Sequence, residues 1–119
     1  FPTRRSSDLQ IQKEKMGLLL SVNSGSAYEP RLVHLTYEPA KSNSKTKHVA
    51  LVGKGITFDT GGYSLKPGAN MAGMKNDMGG SATVYGAFRS AVLEKAPVKI
   101  TCILFIFFCF FRFIIKPVW

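Results

Sequence analysis

Hydrophobic positions change their spacing several times along the chain, and each change marks an element. Residues 10–21 (QIQKEKMGLLLS) place charged side chains ahead of Met16, Leu18, Leu19 and Leu20, which suits a short helix or a helix end. Gly17 weighs against an unbroken helix there. Asn23, Ser24, Gly25 and Ser26 supply turn chemistry, and Glu29 before Pro30 is pushed out of the helical region into an extended approach. Residues 31–37 (RLVHLTY) are rich in branched and aromatic side chains and read as a strand. Pro39 breaks that strand, and residues 38–47 form a polar surface connection.

Residues 48–52 (HVALV) are a short apolar run bounded by polar residues and glycine. The pattern predicts a strand buried on both faces and ended by Gly53. Ligand sites in open α/β sheets gather at the carboxyl ends of such strands, so chemistry on this chain should begin at Lys54. From Asp77 the period becomes helical. Val84, Ala87, Phe88, Ala91 and Val92 fall on one face, with Asp77 where the helix begins. Ala96 and Pro97 close the helix, and residues 98–101 open the next strand.

The two ends depart from this pattern. Residues 1–9 (FPTRRSSDL) are what translation of a common sequencing-adapter sequence yields. They are assigned to such an assembly artefact, with a natural disordered terminus as the alternative. They hold no apolar core segment and so no secretory signal. Residues 102–119 (CILFIFFCFFRFIIKPVW) form an apolar run with neither helical nor alternating polarity. It falls short of the roughly 20 residues a membrane span needs. Three readings compete: a membrane anchor, a buried strand, or translated non-coding sequence past an exon end. The aggregation hazard of such a run favours the last.

At 119 residues the chain fits one small domain or a piece of a larger one. Its net charge of +9 changes little, because much of it sits in Lys41, Lys45 and Lys47 within a Ser/Asn/Thr-rich connection. Without interleaved aromatics such a loop is a solvated surface rather than a nucleic-acid groove. Cys102 and Cys109 lack metal-ligand spacing and suggest no disulfide framework, which favours a reducing compartment. His34, inside a strand, has no second ligand at useful spacing.

The candidate chemistry lies in residues 49–84 (VALVGKGITFDTGGYSLKPGANMAGMKNDMGGSATV), with Lys54, Asp59, Lys66 and Asp77. Two carboxylates in one loop-to-helix segment can hold a divalent cation through oxygen. Plain ion pairs between the lysines and aspartates remain open, as does Asp77 acting as an ordinary helix cap. Against these stands the glycine density. Gly53, Gly55, Gly61 and Gly62 strip the segment of packing side chains, which usually lets something approach the backbone. The spacing fits neither a P-loop nor a dinucleotide fingerprint, so phosphate cradling is weakly supported.

GKGITFDTGGYSLKPGANMAGMKNDMGGSATV closely resembles the signature of the leucyl aminopeptidase (cytosol aminopeptidase) family, and the likeness runs over residues 16–101. The family consists of dinuclear metallo-exopeptidases that cleave amino-terminal residues. The resemblance implies an α/β fold, here a fragment of a mixed-sheet catalytic domain with flanking helices, over residues 10–101. It implies Lys54 as an unusual amine ligand, which must be neutral to coordinate. Asp59 would bridge two metals, and Asp77 would bind the metal that Lys54 binds. Lys66 would be the catalytic lysine, and Met74 would line the pocket for the substrate's first side chain.

The cofactors implied are two divalent ions, Zn2+ or Mn2+, with bicarbonate in the complete enzyme. The partners implied are a peptide substrate and five further copies in a homo-hexamer, in the cytoplasm. Nucleic acid and membrane are not expected. Thr60 stands where serine is common, and Ala72 where an acidic residue often follows Met71. The family's second motif, Asn-Thr-Asp-Ala-Glu-Gly-Arg, does not occur in these residues. The expected function is therefore a metal-dependent leucine-type aminopeptidase, present here as an inactive fragment. The alternative is a non-catalytic relative acting as a binding or structural subunit.

Overall fold

The computed structural model of the protein describes residues 3–6 and 8–109. The readings made above for residues 1, 2, 7 and 110–119 lie outside the described residues. Strand β1 (Thr3–Ser6) precedes two short helices, α1 (Asp8–Lys13) and α2 (Gly17–Asn23). The helical segment predicted for residues 10–21 is thus split. Lys15 takes a positive φ of 57° between the two helices, and Gly17 opens the second helix instead of interrupting the first. Strand β2 (Arg31–Tyr37) follows with the predicted bounds. It ends shortly before Pro39, which has no N–H to extend the ladder.

Strand β3 (His48–Asp59), a one-turn helix α3 (Gly68–Met71), a 3-10 turn (Ala72–Asn76), helix α4 (Gly79–Leu93) and strand β4 (Lys99–Cys109) complete the described chain. The four strands form one mixed sheet in the order β1-β2-β4-β3. β1 and β2 run antiparallel, as do β2 and β4, while β3 and β4 run parallel. A parallel pair needs a long crossover, and α4 supplies it.

The structure corrects two sequence readings. β3 does not end at Gly53; Gly53, Lys54 and Gly55 pair with Leu104, Phe105 and Ile106 of β4. Nor is its first half buried on both faces. Among the described strands β3 lies at the sheet edge, and Val52 is 59% exposed. A β-branched run specifies a strand but not how many neighbours cover it. β4 continues through the composition break at Cys102, so residues 102–109 form part of this strand. β4 lies between β2 on one side and β3 on the other, and its Cys102 and Leu104 sit in the core. A strand paired on both edges and covered by a helix reads as a continuous apolar run, which is why it showed no alternation.

The core joins one face of α4 to the sheet. Phe88 meets Leu35, Ile100, Cys102 and Leu104, with Val84, Ala91 and Val92 packed around them. Ala87 faces outward, and Ser81 takes the buried place one turn earlier than the predicted stripe begins. The Tyr37 hydroxyl donates to the Ala96 carbonyl at 3.2 Å and ties the end of β2 to the exit of the helix.

Near its start α4 lies directly on the backbone of β3. A Cβ at Gly53 would stand 2.7 Å from the Ser81 Cα and 3.0 Å from the Gly80 carbonyl oxygen. A Cβ at Gly80 would stand 3.1 Å from the Lys54 carbonyl oxygen. By contrast, Gly86 in mid-helix has open space around it. Gly53→Ala should therefore destabilise the fold by about 1–3 kcal/mol through overpacking against backbone that cannot yield. Gly86→Ala should stabilise it by about 0.5–1 kcal/mol through helix propensity. Urea unfolding of the two variants, side by side, checks the sign of each.

Candidate active site

The site grows from the carboxyl end of β3, where the ladder becomes irregular. Ile56 pairs with Phe107 and Asp59 with Cys109, so three steps along β3 match two along β4. Such a bulge re-aims the residues that follow it. It brings the Asp59 carboxylate to the mouth of the loop that leads to Lys66.

That loop is wound tightly. Gly61 has φ +89° and Gly62 φ +59°. A Cβ at Gly61 would fall 2.3 Å from the Ser64 carbonyl oxygen, so only glycine fits. The Lys66 N–H donates to the Thr60 carbonyl at 2.9 Å and closes the loop. Its ammonium donates to Asp59 Oδ2 at 2.6 Å, and the Gly61 N–H donates to Asp59 Oδ1 at 2.8 Å. Both oxygens of Asp59 are thereby engaged.

The second pair forms at the seam between β3 and α4. Lys54 Nζ lies 2.5 Å from Asp77 Oδ1. Asp77 does not cap α4, as a plain helix-start aspartate would. The helix begins at Gly79 after Met78, with no side-chain cap, and Asp77 closes the preceding 3-10 turn. Its other oxygen, Oδ2, is buried and has no hydrogen-bond partner among the described residues. A buried, unpaired carboxylate oxygen is costly in a metal-free site and fits a position awaiting a cation. Asp77, beside Lys54, therefore offers oxygen that fits a hard or borderline divalent ion, and the Asp59 carboxylate is a donor of the same kind. Among the described residues no three His, Cys, Asp or Glu side chains cluster as a metal cage of their own. Lys54 is 57% exposed, so these residues alone do not bury its amine. Met74 is half-buried in the 3-10 turn, and its carbonyl accepts the Asp77 N–H at 3.2 Å.

The structure thus joins the four predicted polar residues as two pairs, Lys54 with Asp77 and Lys66 with Asp59. Three further residues were missed. The buried Ser81 hydroxyl donates to the Gly53 carbonyl at 2.8 Å and fastens the helix start to β3. A small residue after a Gly-Gly pair in the first helical turn was its only signal. Thr60, also buried, binds the end of β4. Cys109 lies beside Asp59, and no local pattern could have placed it there, because its position follows from the bulged register. Burial pushes the Cys109 thiol up, and its hydrogen bond to Asp59 adds to the rise.

The Lys66 ammonium is the main cause that holds Asp59 below the usual carboxylate range, against a smaller opposing effect of burial. A depressed folded-state value means that this pair contributes stability above the unfolded value of about 3.9, and loses it as pH falls through the folded value. In metal-free protein the Asp59 carboxyl carbon should titrate below about 3.9 by NMR. With Lys66→Met the same resonance should titrate higher. An unchanged titration would contradict the pairing.

Residues 3–107 match the sequence profile of the cytosol aminopeptidase family, catalytic domain. A probable cytosol aminopeptidase of Pseudomonas fluorescens (strain Pf0-1) is 50% identical over 95 residues, which are 80% of this chain and 19% of that protein. One from Chlamydia muridarum is 51% identical over 94 residues, 79% of this chain and 18% of that one. This chain therefore spans about a fifth of the length of these relatives. Two solved structures superpose closely. The apo leucyl aminopeptidase of Trypanosoma cruzi gives a TM-score of 0.85 at 39% identity, covering 92% of this chain and 21% of that one. The Trypanosoma brucei leucyl aminopeptidase in complex with bestatin gives 0.86 at 37% identity, covering 93% and 21%. With the fold, the glycine-lined seam and the two lysine–aspartate pairs already in view, these likenesses show that the chain belongs to the cytosol aminopeptidase family, within its catalytic domain.

Proposed function

We propose that this chain is the lysine-bearing part of a metal-dependent, leucine-type aminopeptidase, and that the 119 residues alone do not turn over substrate. The observation that carries the reading is the arrangement at β3 and α4. Two lysines stand against two aspartates, and one aspartate oxygen is buried without a partner. Ordinary surface ion pairs leave no such orphan, since a free oxygen there would turn to water.

Lys54, Asp59 and Asp77 are the residues that would hold divalent metal, Zn2+ or Mn2+. Such ions, when bound, supply Lewis-acid polarisation and an activated water. Lys54 would take part as a neutral amine, because an ammonium offers no lone pair. Lys66 keeps its proton. Its ammonium donates a charge-assisted hydrogen bond to the substrate carbonyl oxygen, and that bond strengthens as the oxygen becomes an oxyanion. Met74 gives the substrate's first side chain an apolar, deformable wall. In the complete enzyme further carboxylate ligands and a bicarbonate base would come from outside these residues. There the protein would act on peptides as a cytoplasmic homo-hexamer. Among the described residues no helix is long and apolar enough to cross a membrane.

Lys66→Met in the full-length enzyme should lower kcat by about 10²–10³, the usual loss on removal of one oxyanion donor, with bound metal unchanged. The 119-residue chain should show no hydrolysis of leucine-p-nitroanilide. Turnover by this chain that disappears with Lys66→Ala would overturn the fragment reading.

A further inference from the structure

The loop that delivers Lys66 contains two glycines with positive φ, Gly61 and Gly62. Glycine permits that path but does not enforce it, since it has the widest conformational freedom of any residue. Something else must hold the loop shut, and the hydrogen bonds converge on Thr60. Its N–H and its hydroxyl both donate to the Cys109 carbonyl at the end of β4, each at 3.1 Å. The same hydroxyl oxygen accepts from the Gly62 N–H at 3.4 Å. The Thr60 carbonyl accepts from the Lys66 N–H at 2.9 Å. Thr60 is 4% exposed, so water cannot substitute for these partners.

We infer that Thr60 is the positioning residue for Lys66: its hydroxyl fastens the neck of the loop to β4, and this fixes where the lysine's ammonium stands. The inference rests on the aminopeptidase reading, in which Lys66 meets the substrate carbonyl. Position matters at this site because the ammonium must reach an oxygen whose charge develops only in the transition state. Asp59 shares the Lys66 ammonium, but it is also held by its ladder pairing with Cys109 and by the Gly61 N–H, neither of which uses the Thr60 hydroxyl. Loss of the Thr60 hydroxyl should therefore disturb the lysine more than the metal-binding carboxylate.

The test is a double-mutant cycle in the full-length enzyme, with Thr60→Val and Lys66→Met, alone and together. Mn2+ affinity is read from the EPR signal of free Mn2+. Thr60→Val keeps the shape and removes the hydroxyl. It should lower kcat about 10-fold or more while Mn2+ affinity stays within about threefold, and it should cost little further on the Lys66→Met background. Thr60→Ser, which keeps the hydroxyl, should restore kcat to within about threefold of the parent. If Thr60→Val does not fold, Thr60→Ala is read in its place. An equal loss on both backgrounds, or Mn2+ affinity falling in step with kcat, overturns the inference and leaves the aminopeptidase reading standing. If Lys66→Met itself leaves kcat unchanged, the role given to the lysine fails, and that of Thr60 fails with it.

Discussion

The close approach of α4 to the backbone of β3 is the constraint on which the site depends. A helix normally stands off a sheet by the depth of its side chains. Here Gly53 and Gly55 on the strand and Gly80 and Ser81 on the helix remove that depth, and the two backbones meet. Only then can the turn just before the helix bring Asp77 to the side chain of Lys54. Ser81 fits the gap and satisfies the Gly53 carbonyl, so the approach leaves that buried acceptor paired. Glycine is expensive in regular structure, and its concentration at this seam is explained by proximity rather than by flexibility.

The two lysine–aspartate pairs are not equivalent. Lys66 is mostly covered, and its ammonium reaches both the Asp59 carboxylate and the Asp59 backbone carbonyl. Lys54 is more than half exposed and, among the described residues, pairs with a carboxylate whose second oxygen has no partner. The covered lysine is thus the more firmly placed of the two, and the exposed one the freer to change partners.

Much of this was legible in the sequence, for identifiable reasons. β2 is bounded by prolines and filled with branched residues, so its limits were readable to the residue. The four polar site residues stood out because they share one glycine-rich segment. What was hidden came from tertiary pairing. Nothing local says that β3 passes through two glycines, since glycine is a strand breaker until a helix sits on it. The bulge that aligns Asp59 with Cys109 is a property of two strands together, and neither alone encodes it. The role of Asp77 was ambiguous for a related reason. An aspartate just before a helix looks like a cap, and only the three-dimensional position of Lys54 shows what it pairs with.

The apolar run after residue 101 illustrates the same limit from the other side. Judged as an isolated segment, it had no polar face and so no evident place in a small domain. In the sheet, β3 takes one edge as far as Cys109, β2 takes the other as far as Ile106, and α4 covers one face. That central placement links the core to the chemistry. β4 carries Cys102 and Leu104 into the core near its start and presents the Cys109 carbonyl to Thr60 at its end. One strand thus anchors both the packing of the helix that sets Asp77 and the loop that sets Lys66. A shift of β4 by a single residue would turn its core side chains to the opposite face and separate the loop from its anchor. The register of this strand is therefore fixed twice over, by the core and by the site.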